Sequence, residues 1–276
     1  MGVPMTDFAE FAERERAGWQ DAEIVVAYVE YIAPLTERAG EQALMALNIA
    51  PDTEVLDLCC GQGEMTRRAC ELSENVAGLD FSETMLERAA RVAPMADLRE
   101  GDAAAMPYAD ASFDAVLCNF GIPHVPDRTA VLSEIARVLR PGGRVALTSW
   151  VGPDGSAAFA TAVTAIQGMA GPPSIPQPDF FEFSRGDAAE TRLSQAGFQL
   201  QSHEVIPLVL DLDRPDGLFQ LFANATVGIR MLIQSQEPPV VDAIRDAMAA
   251  EVEREYRVPE GYRVAMPATI TVASLQ

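Results

Sequence analysis

Residues 55–63 read Val55-Leu56-Asp57-Leu58-Cys59-Cys60-Gly61-Gln62-Gly63. A short apolar run that gives way to small residues and two glycines predicts a strand running into a tight loop. Glu64 to Leu72 continues as a predicted helix. Glycines let a loop backbone approach a ligand closely, and the helix behind them presents the positive end of its dipole. Asn75 to Leu79 is a second predicted strand, closed by Asp80. Ser82 then caps a helix through Arg91 and places Glu83 in its first turn, where a carboxylate sits well against the dipole.

The alternation continues outward. Asp97 to Glu100 is a weak third strand leading into Gly101-Asp102, and Phe113 to Asn119 is a continuous apolar strand of the kind buried on both faces. Arg128 to Leu139 carries Val131, Leu132, Ile135, Val138 and Leu139 on one helical stripe, which Pro141-Gly142-Gly143 stops before a fifth strand, Arg144 to Trp150. Strand and helix in strict alternation predict a parallel, doubly wound α/β sheet. Upstream, Asp7 to Asn48 reads as helices, with Tyr28, Tyr31, Ile32 and Leu35 on one face. Downstream, a helix over Ser156 to Met169 is followed by a proline-rich loop, Gly171 to Pro178, and a helix capped by Asp187 and stopped by Gly197. A sixth strand, Phe198 to Leu210, and a last one, Val264 to Ala273, are separated by helices over Leu218 to Ile233 and Val240 to Tyr256. Helices inserted into a strand pair are placed to act as a lid. The chain thus divides into a helical cap (1–50), a ligand-binding core (51–212), a helical lid (213–262) and a last strand (263–276), all within one domain.

Length and composition agree with one large α/β domain: 276 residues, 49% of them hydrophobic. The formal net charge of -21 repels phosphate backbones and anionic lipid, so nucleic acid and membrane surfaces are not expected partners, and a small molecule is. The basic residues other than histidine are all arginine, and the absence of lysine excludes Schiff-base chemistry. Cys59, Cys60, Cys70 and Cys118 lack the CxxC spacing of a zinc site, so no metal is expected and reduced thiols in a cytoplasmic protein are. Asp7, Glu10, Glu13 and Glu15 are unlike the positively charged start of a signal peptide. No apolar run approaches the roughly 20 residues that span a bilayer.

The site reading rests on two acids at strand ends. Asp80 follows the glycine loop by one strand–helix–strand unit, where a carboxylate can accept both hydroxyls of a ribose. Asp102 ends the third strand and can read an adenine amino group. A dinucleotide fingerprint would need a third glycine where Thr66 stands, and Asp57 would sit badly beside a pyrophosphate. A cationic ligand suits these acid-rich walls better.

Four stretches, VLDLCCGQG (55–63), GLDFSETML (78–86), GDAAAMPYADASFDAVLCNFGIPHVPD (101–127) and LSEIARVLRPGGRVALTSW (132–150), resemble the class I S-adenosylmethionine (SAM)-dependent methyltransferases. The nearest subgroup is the small-molecule and ubiquinone/menaquinone-pathway enzymes. The resemblance runs from about Thr53 to Trp150. It implies a Rossmann-like seven-stranded sheet of order 3-2-1-4-5-7-6 with strand 7 antiparallel, and transfer of a methyl group from SAM, leaving S-adenosylhomocysteine (SAH). It also implies that Asp57, Cys59, Gly61 and Gly63 form the SAM loop, that Asp80 binds the ribose, and that Phe81 and Met85 line the adenine. Asp102 and Ala103 would meet the adenine edge, and Cys118 and Asn119 the methionine portion. One departure stands out: the family's first loop glycine is Cys59 here, with less backbone freedom.

Methyl transfer from a sulfonium needs alignment above all, and a base only where the acceptor carries a firmly held proton. His124, after the fourth strand, is either that base or a structural residue of its loop. Tyr28 and Tyr31 either fold over the site, with Tyr28 a second catalytic candidate and Tyr31 a substrate contact, or pack the helices on the sheet. Phe222 on the lid is a candidate pocket wall, and Arg230 a candidate anchor for a substrate carboxylate, against an ordinary ion pair. Cys59, Cys60 and Cys118 could hold arsenic, but adjacent thiols splay poorly around one atom. The expected acceptor is O, N, S or C of a small, partly apolar molecule. The alternatives are a SAM-binding protein of the same fold that catalyses another reaction, and a non-catalytic binding protein. A homodimer is left open.

Overall fold

The computed structural model describes residues 8–169 and 175–276. In chain order the strands are β1 (Glu54–Leu58), β2 (Asn75–Asp80), β3 (Asp97–Glu100), β4 (Phe113–Cys118), β5 (Leu139–Trp150), β6 (Phe198–Ile206), β7 (Val209–Leu212), β8 (Arg257–Val258), β9 (Gly261–Ala265) and β10 (Ala268–Leu275). The helices are α1 (Ala9–Gln20), α2 (Ala22–Tyr31), α3 (Ala33–Ala46), α4 (Glu64–Cys70), α5 (Glu83–Val92), α6 (Arg128–Val138), α7 (Ala157–Met169), α8 (Gly186–Gln195), α9 (Gly217–Ala225), α10 (Gly228–Gln234) and α11 (Pro238–Glu255).

Seven strands form one sheet in the order β3-β2-β1-β4-β5-β10-β6. β1 through β5 pair in parallel, while β10 runs antiparallel to both β5 and β6. This is the expected topology, with the last strand inserted between the fifth and the sixth. Side chains of a strand alternate between faces, and the core follows that rule. Val55, Ala115, Leu117 and Ala146 pack on one face with α3, α4 and α7. Leu56, Leu58, Val116, Val145 and Leu147 pack on the other with α6 and α8.

The strand pair at the far edge differs from expectation. Each of the two long strands predicted there is two strands. β6 and β10 pair in the main sheet, ending at Ile206 opposite Ala268, and β7 and β9 pair in a separate small sheet, beginning at Val209 opposite Ala265. The register keeps its count across the gap, so Pro207 and Pro267 face each other. Neither can donate a ladder hydrogen bond, and the ribbon leaves the main sheet at that point. The helices α9, α10 and α11 are inserted between β7 and β9.

Three further expectations are corrected. The helix predicted over Leu218 to Ile233 is broken, because Thr226 is extended (ψ 150°) and its hydroxyl donates back to Phe222 O at 2.7 Å. The break lets Val227 turn inward against Gly18 of α1. Asp187 does not cap α8, which begins at Gly186; it sits in the first turn instead. Tyr31 does not share the inward face of Tyr28, Ile32 and Leu35, since α2 ends there and the side chain is exposed. Asp7 and residues 171–174 of the predicted proline-rich loop lie outside the described residues, and 175–178 carry no regular structure. Among the described residues no helix is long and apolar enough to cross a membrane.

Candidate active site

The carboxyl ends of β1, β2 and β4 open into a cavity of about 850 Å3. Ligands of doubly wound folds bind at this end of the sheet. One half of the cavity is built by the loop after β1. Cys59, Gly61 and Gly63 all have positive φ, 58°, 53° and 89°. Cys59 therefore holds a left-handed conformation that costs a non-glycine residue about 1–2 kcal/mol. Gly61 presents its N–H to Asp80 Oδ2 at 2.8 Å, while Ser82 N donates to Asp80 Oδ1 at 2.9 Å. Those bonds fix the carboxylate at the cavity wall. Asp80 is 8% exposed. Burial pushes its carboxyl above the usual value, against the lowering pull of backbone donors at Ser82, Gly61 and Phe81. A ligand that brings hydroxyl donors or positive charge would relieve that penalty.

Gly63 does another job. A Cβ there would stand 2.7 Å from Ala89 Cα, so its absence is what lets the loop pack on α5. Asp57 is buried, and its Oδ2 accepts from Thr66 Oγ1 at 2.6 Å. Its Oδ1 has no partner among the described residues. Burial pushes the carboxyl up to about 7, with the Thr66 hydrogen bond opposing. Cys118 is fully buried, and its hydrogen bond to the Cys59 thiol, with burial added, holds Cys59 well above the ordinary thiol value. Asp57, Gly63 and Cys118 thus support the wall from behind and do not line the cavity.

Asn119 does line it, and its position is over-determined. Its Nδ2 donates to Thr36 O at 3.1 Å and its Oδ1 accepts from Thr148 Oγ1 at 2.8 Å. The Thr148 hydroxyl oxygen in turn accepts from Phe120 N at 2.8 Å. Helix α3 reaches Asn119 because Gly40 is bare: a Cβ there would lie 2.9 Å from the Asn119 amide.

Helix α1 closes the cavity from above the strand ends. Arg16 stacks over Phe81, 5.2 Å to the ring centroid, and pairs with Asp102 at 3.5 Å. Ser82 Oγ donates to Trp19 O at 2.6 Å and Gln20 Nε2 to Phe81 O at 3.3 Å, pinning the end of α1 to the loop after β2. Asp102 accepts from Ala104 N at 2.9 Å. Phe81, Met85, Asp102 and Ala103 all contribute to this half.

The other half is aromatic and apolar. His124 lies in a short 3-10 turn after β4, and its Nδ1 is 2.7 Å from Glu15 Oε2. Trp19 Nε1 donates to the same carboxylate at 3.0 Å. Trp19 meets His124 and Tyr28 edge-on at 5.2 and 5.3 Å, and Phe180 meets His124 at 5.3 Å. The Tyr28 hydroxyl is 3.3 Å from Thr36 Oγ1, and burial pushes it above the usual phenol range, so it stays protonated. Trp150, Phe159 and Phe222 complete the wall.

The sequence-predicted residues thus divide. Cys59, Gly61, Asp80, Phe81, Met85, Asn119, Tyr28, His124 and Phe222 all line one cavity. Tyr31 is exposed outside it. Arg230 is also outside, bonded to Asn224 O of α9 at 3.4 Å and Glu23 Oε2 at 3.5 Å, so it meets a backbone carbonyl and an ion pair instead of a ligand carboxylate. Sequence reasoning missed Glu15 and Trp19. Their spacing of four residues puts both on one face of α1, but only the folded chain brings that face to His124.

The family described as a methyltransferase domain matches residues 56–147. Over those residues the chain is similar to the methyltransferase domain family. A demethylmenaquinone methyltransferase of Lactiplantibacillus plantarum is 37% identical over 123 residues, 41% of this chain and 52% of its own. An uncharacterised protein of Mycobacterium bovis is 31% identical over 152 residues, 54% of each chain. The chain therefore spans about half the length of the curated relatives it matches. The crystal structure of YcgJ from Bacillus subtilis aligns with a TM-score of 0.61 at 16% identity, over 87% of this chain and 99% of that one. That likeness concerns the fold alone.

Proposed function

We propose that the protein transfers the methyl group of SAM to a nucleophilic atom of a small, partly apolar molecule. The observation that carries this reading is the single cavity, in which a fixed, buried carboxylate and a glycine loop face an aromatic compartment. Bound there, SAM supplies an electrophilic methyl group on a sulfonium. The residues present fit it. Asp80 offers a fixed carboxylate to the ribose hydroxyls, Phe81 and Met85 flank the space for the adenine, and Asp102 with Ala103 offers polar groups at its edge. Asn119 and the Cys59–Gly61 backbone take the methionine end, supported by Asp57, Gly63 and Cys118 from behind. The aromatic side chains exclude water and align the acceptor, which supplies most of what an in-line displacement needs. Four free cysteines fit a reducing cytoplasm.

Calorimetric titration with SAM and SAH, on wild type and Asp80→Ala, tests the cofactor half. Both ligands should bind, and the variant should bind at least about tenfold more weakly, the loss of charge-assisted hydrogen bonds. Labelled SAM then tests the reaction. Binding without label transfer to any small acceptor would move the protein to the non-methylating alternative, and no binding at all would end the reading.

A further inference from the structure

We propose that Glu15 and His124 form a general-base dyad, with Glu15 the positioning residue, and that the acceptor is a hydroxyl of phenol-like acidity; this rests on the methyl-transfer reading above. The carboxylate–imidazole contact joins residues 109 apart in the chain, at 2.7 Å. Glu15 is 5% exposed and its Oε2 is also held by Trp19 Nε1. A buried carboxylate is an acceptor only, so the Nδ1 facing it carries the proton. The lone pair of a neutral ring then sits on Nε2. The ring itself is clamped edge-on by Trp19 and Phe180 and borders the cavity. An orienting carboxylate, a fixed tautomer and an imidazole at the cavity wall are the parts of a general base.

The chemistry of the acceptor follows. A neutral imidazole takes a proton readily from a group within a few pKa units of its own, which a phenol near 10 satisfies and an aliphatic alcohol does not. An aromatic ring also suits walls built of Phe120, Trp150, Phe159 and Phe222. In the step, the O–CH3 bond forms as the S–CH3 bond breaks, and the sulfur keeps that electron pair. The hydroxyl proton passes to His124 Nε2, and Glu15 stabilises the imidazolium. No other co-reactant is needed. The other charged or titratable groups that line the cavity among the described residues are Arg14 and Arg16 of α1, Tyr28 of α2, Cys59 after β1, Asp80 at the end of β2, Asp102 after β3 and Asp127 beyond the His124 turn.

The chain has only two histidines, His124 and His203, so both ring signals can be followed by nitrogen NMR with SAH bound, assigned with His203→Gln. Wild-type His124 should show the Nδ1–H tautomer, and Glu15→Leu, which removes the acceptor, should lose that bias. His203, held by Thr271 and Ser184, should not move. An Nε2–H tautomer in the wild type overturns the dyad without any variant. A His124 tautomer unchanged in Glu15→Leu overturns it as well. With labelled SAM and a panel of simple phenols, Glu15→Gln should lower kcat about tenfold or more with little change in KM. Glu15→Asp should restore part of the rate. Label transfer to amines or thiols but not phenols overturns the acceptor class. SAH titration separates the two levels: bound SAH with a failed dyad test sinks this inference alone, whereas absent SAH binding sinks the methyl-transfer reading.

Discussion

Asp57 is the residue whose chemistry departs most from its sequence appearance. It sits at the end of an apolar strand, is 1% exposed, and accepts from Thr66 through only one oxygen. Its carboxyl is pushed up to about 7 by burial, against about 3.9 in an unfolded chain. The fold therefore favours the protonated acid. Its contribution to stability is full below about pH 4 and is lost as the pH rises through about 7. At about 1.4 kcal/mol per unit, the loss between pH 5 and 8 is on the order of 2 kcal/mol. Asp57→Asn keeps the shape and an acceptor for Thr66 but cannot ionise. Urea melts across that range should show the variant gaining on wild type as pH rises; a constant difference would mean that Asp57 stays ionised in the fold. Gly63 makes a second residue-scale prediction. Alanine there meets both a φ of 89° and the Ala89 backbone. Gly63→Ala should cost about 2–4 kcal/mol, read as a lower urea midpoint, because left-handed strain and overpacking add.

At the scale of elements, the cavity depends on how α1 sits between two neighbours. Its end is pinned to the loop after β2 by Ser82 and Gln20, and its Gly18 receives Val227 at the start of α10. A Cβ on Gly18 would stand 2.5 and 2.6 Å from the two Val227 methyl groups, and a β-branched side chain has little rotamer freedom with which to yield. Gly18→Ala should therefore loosen α10 by about 1–3 kcal/mol and leave the main sheet alone. Hydrogen exchange would register it as faster exchange over 228–234 with no change in β1 or β4, and unchanged α10 protection would show that the contact carries no weight. These elements also mark the limit of what sequence shows. β1 to β5 and their helices were legible because strand alternation and helical stripes are local patterns. The Pro207 and Pro267 corner was not, since a ribbon that changes sheets keeps the same alternation on both sides. The α9–α10 break depends on Val227 finding Gly18, more than two hundred residues away. In the site, the glycine loop, Asp80 and Asp102 were legible from their spacing, and the other loop and strand-end residues only through the family resemblance. Glu15 was not, because its importance comes from His124, which only the folded chain brings to it.

Across the whole molecule, charge is the property that bears on function. With a formal net charge of -21, the protein sets up a negative field around a cavity whose wall already includes Glu15, Asp80 and Asp102. Such a field raises the encounter rate of a cation and is screened by salt, with a Debye length of about 10 Å at 0.1 M. SAM carries a net positive charge near neutral pH, whereas SAH, lacking the sulfonium methyl, is a zwitterion with none. The two ligands share the ribose, the adenine and the amino-acid end, so their difference isolates the field. Raising the salt from about 0.02 to 0.5 M should slow SAM association about three- to tenfold and leave SAH association nearly unchanged. Stopped-flow fluorescence can follow both, since Trp19 lines the cavity. Equal salt dependence for the two ligands would mean that the surface acids serve solubility alone. A dependence confined to SAM also favours product exchange in the working enzyme, because each turnover removes the charge that drew the donor in.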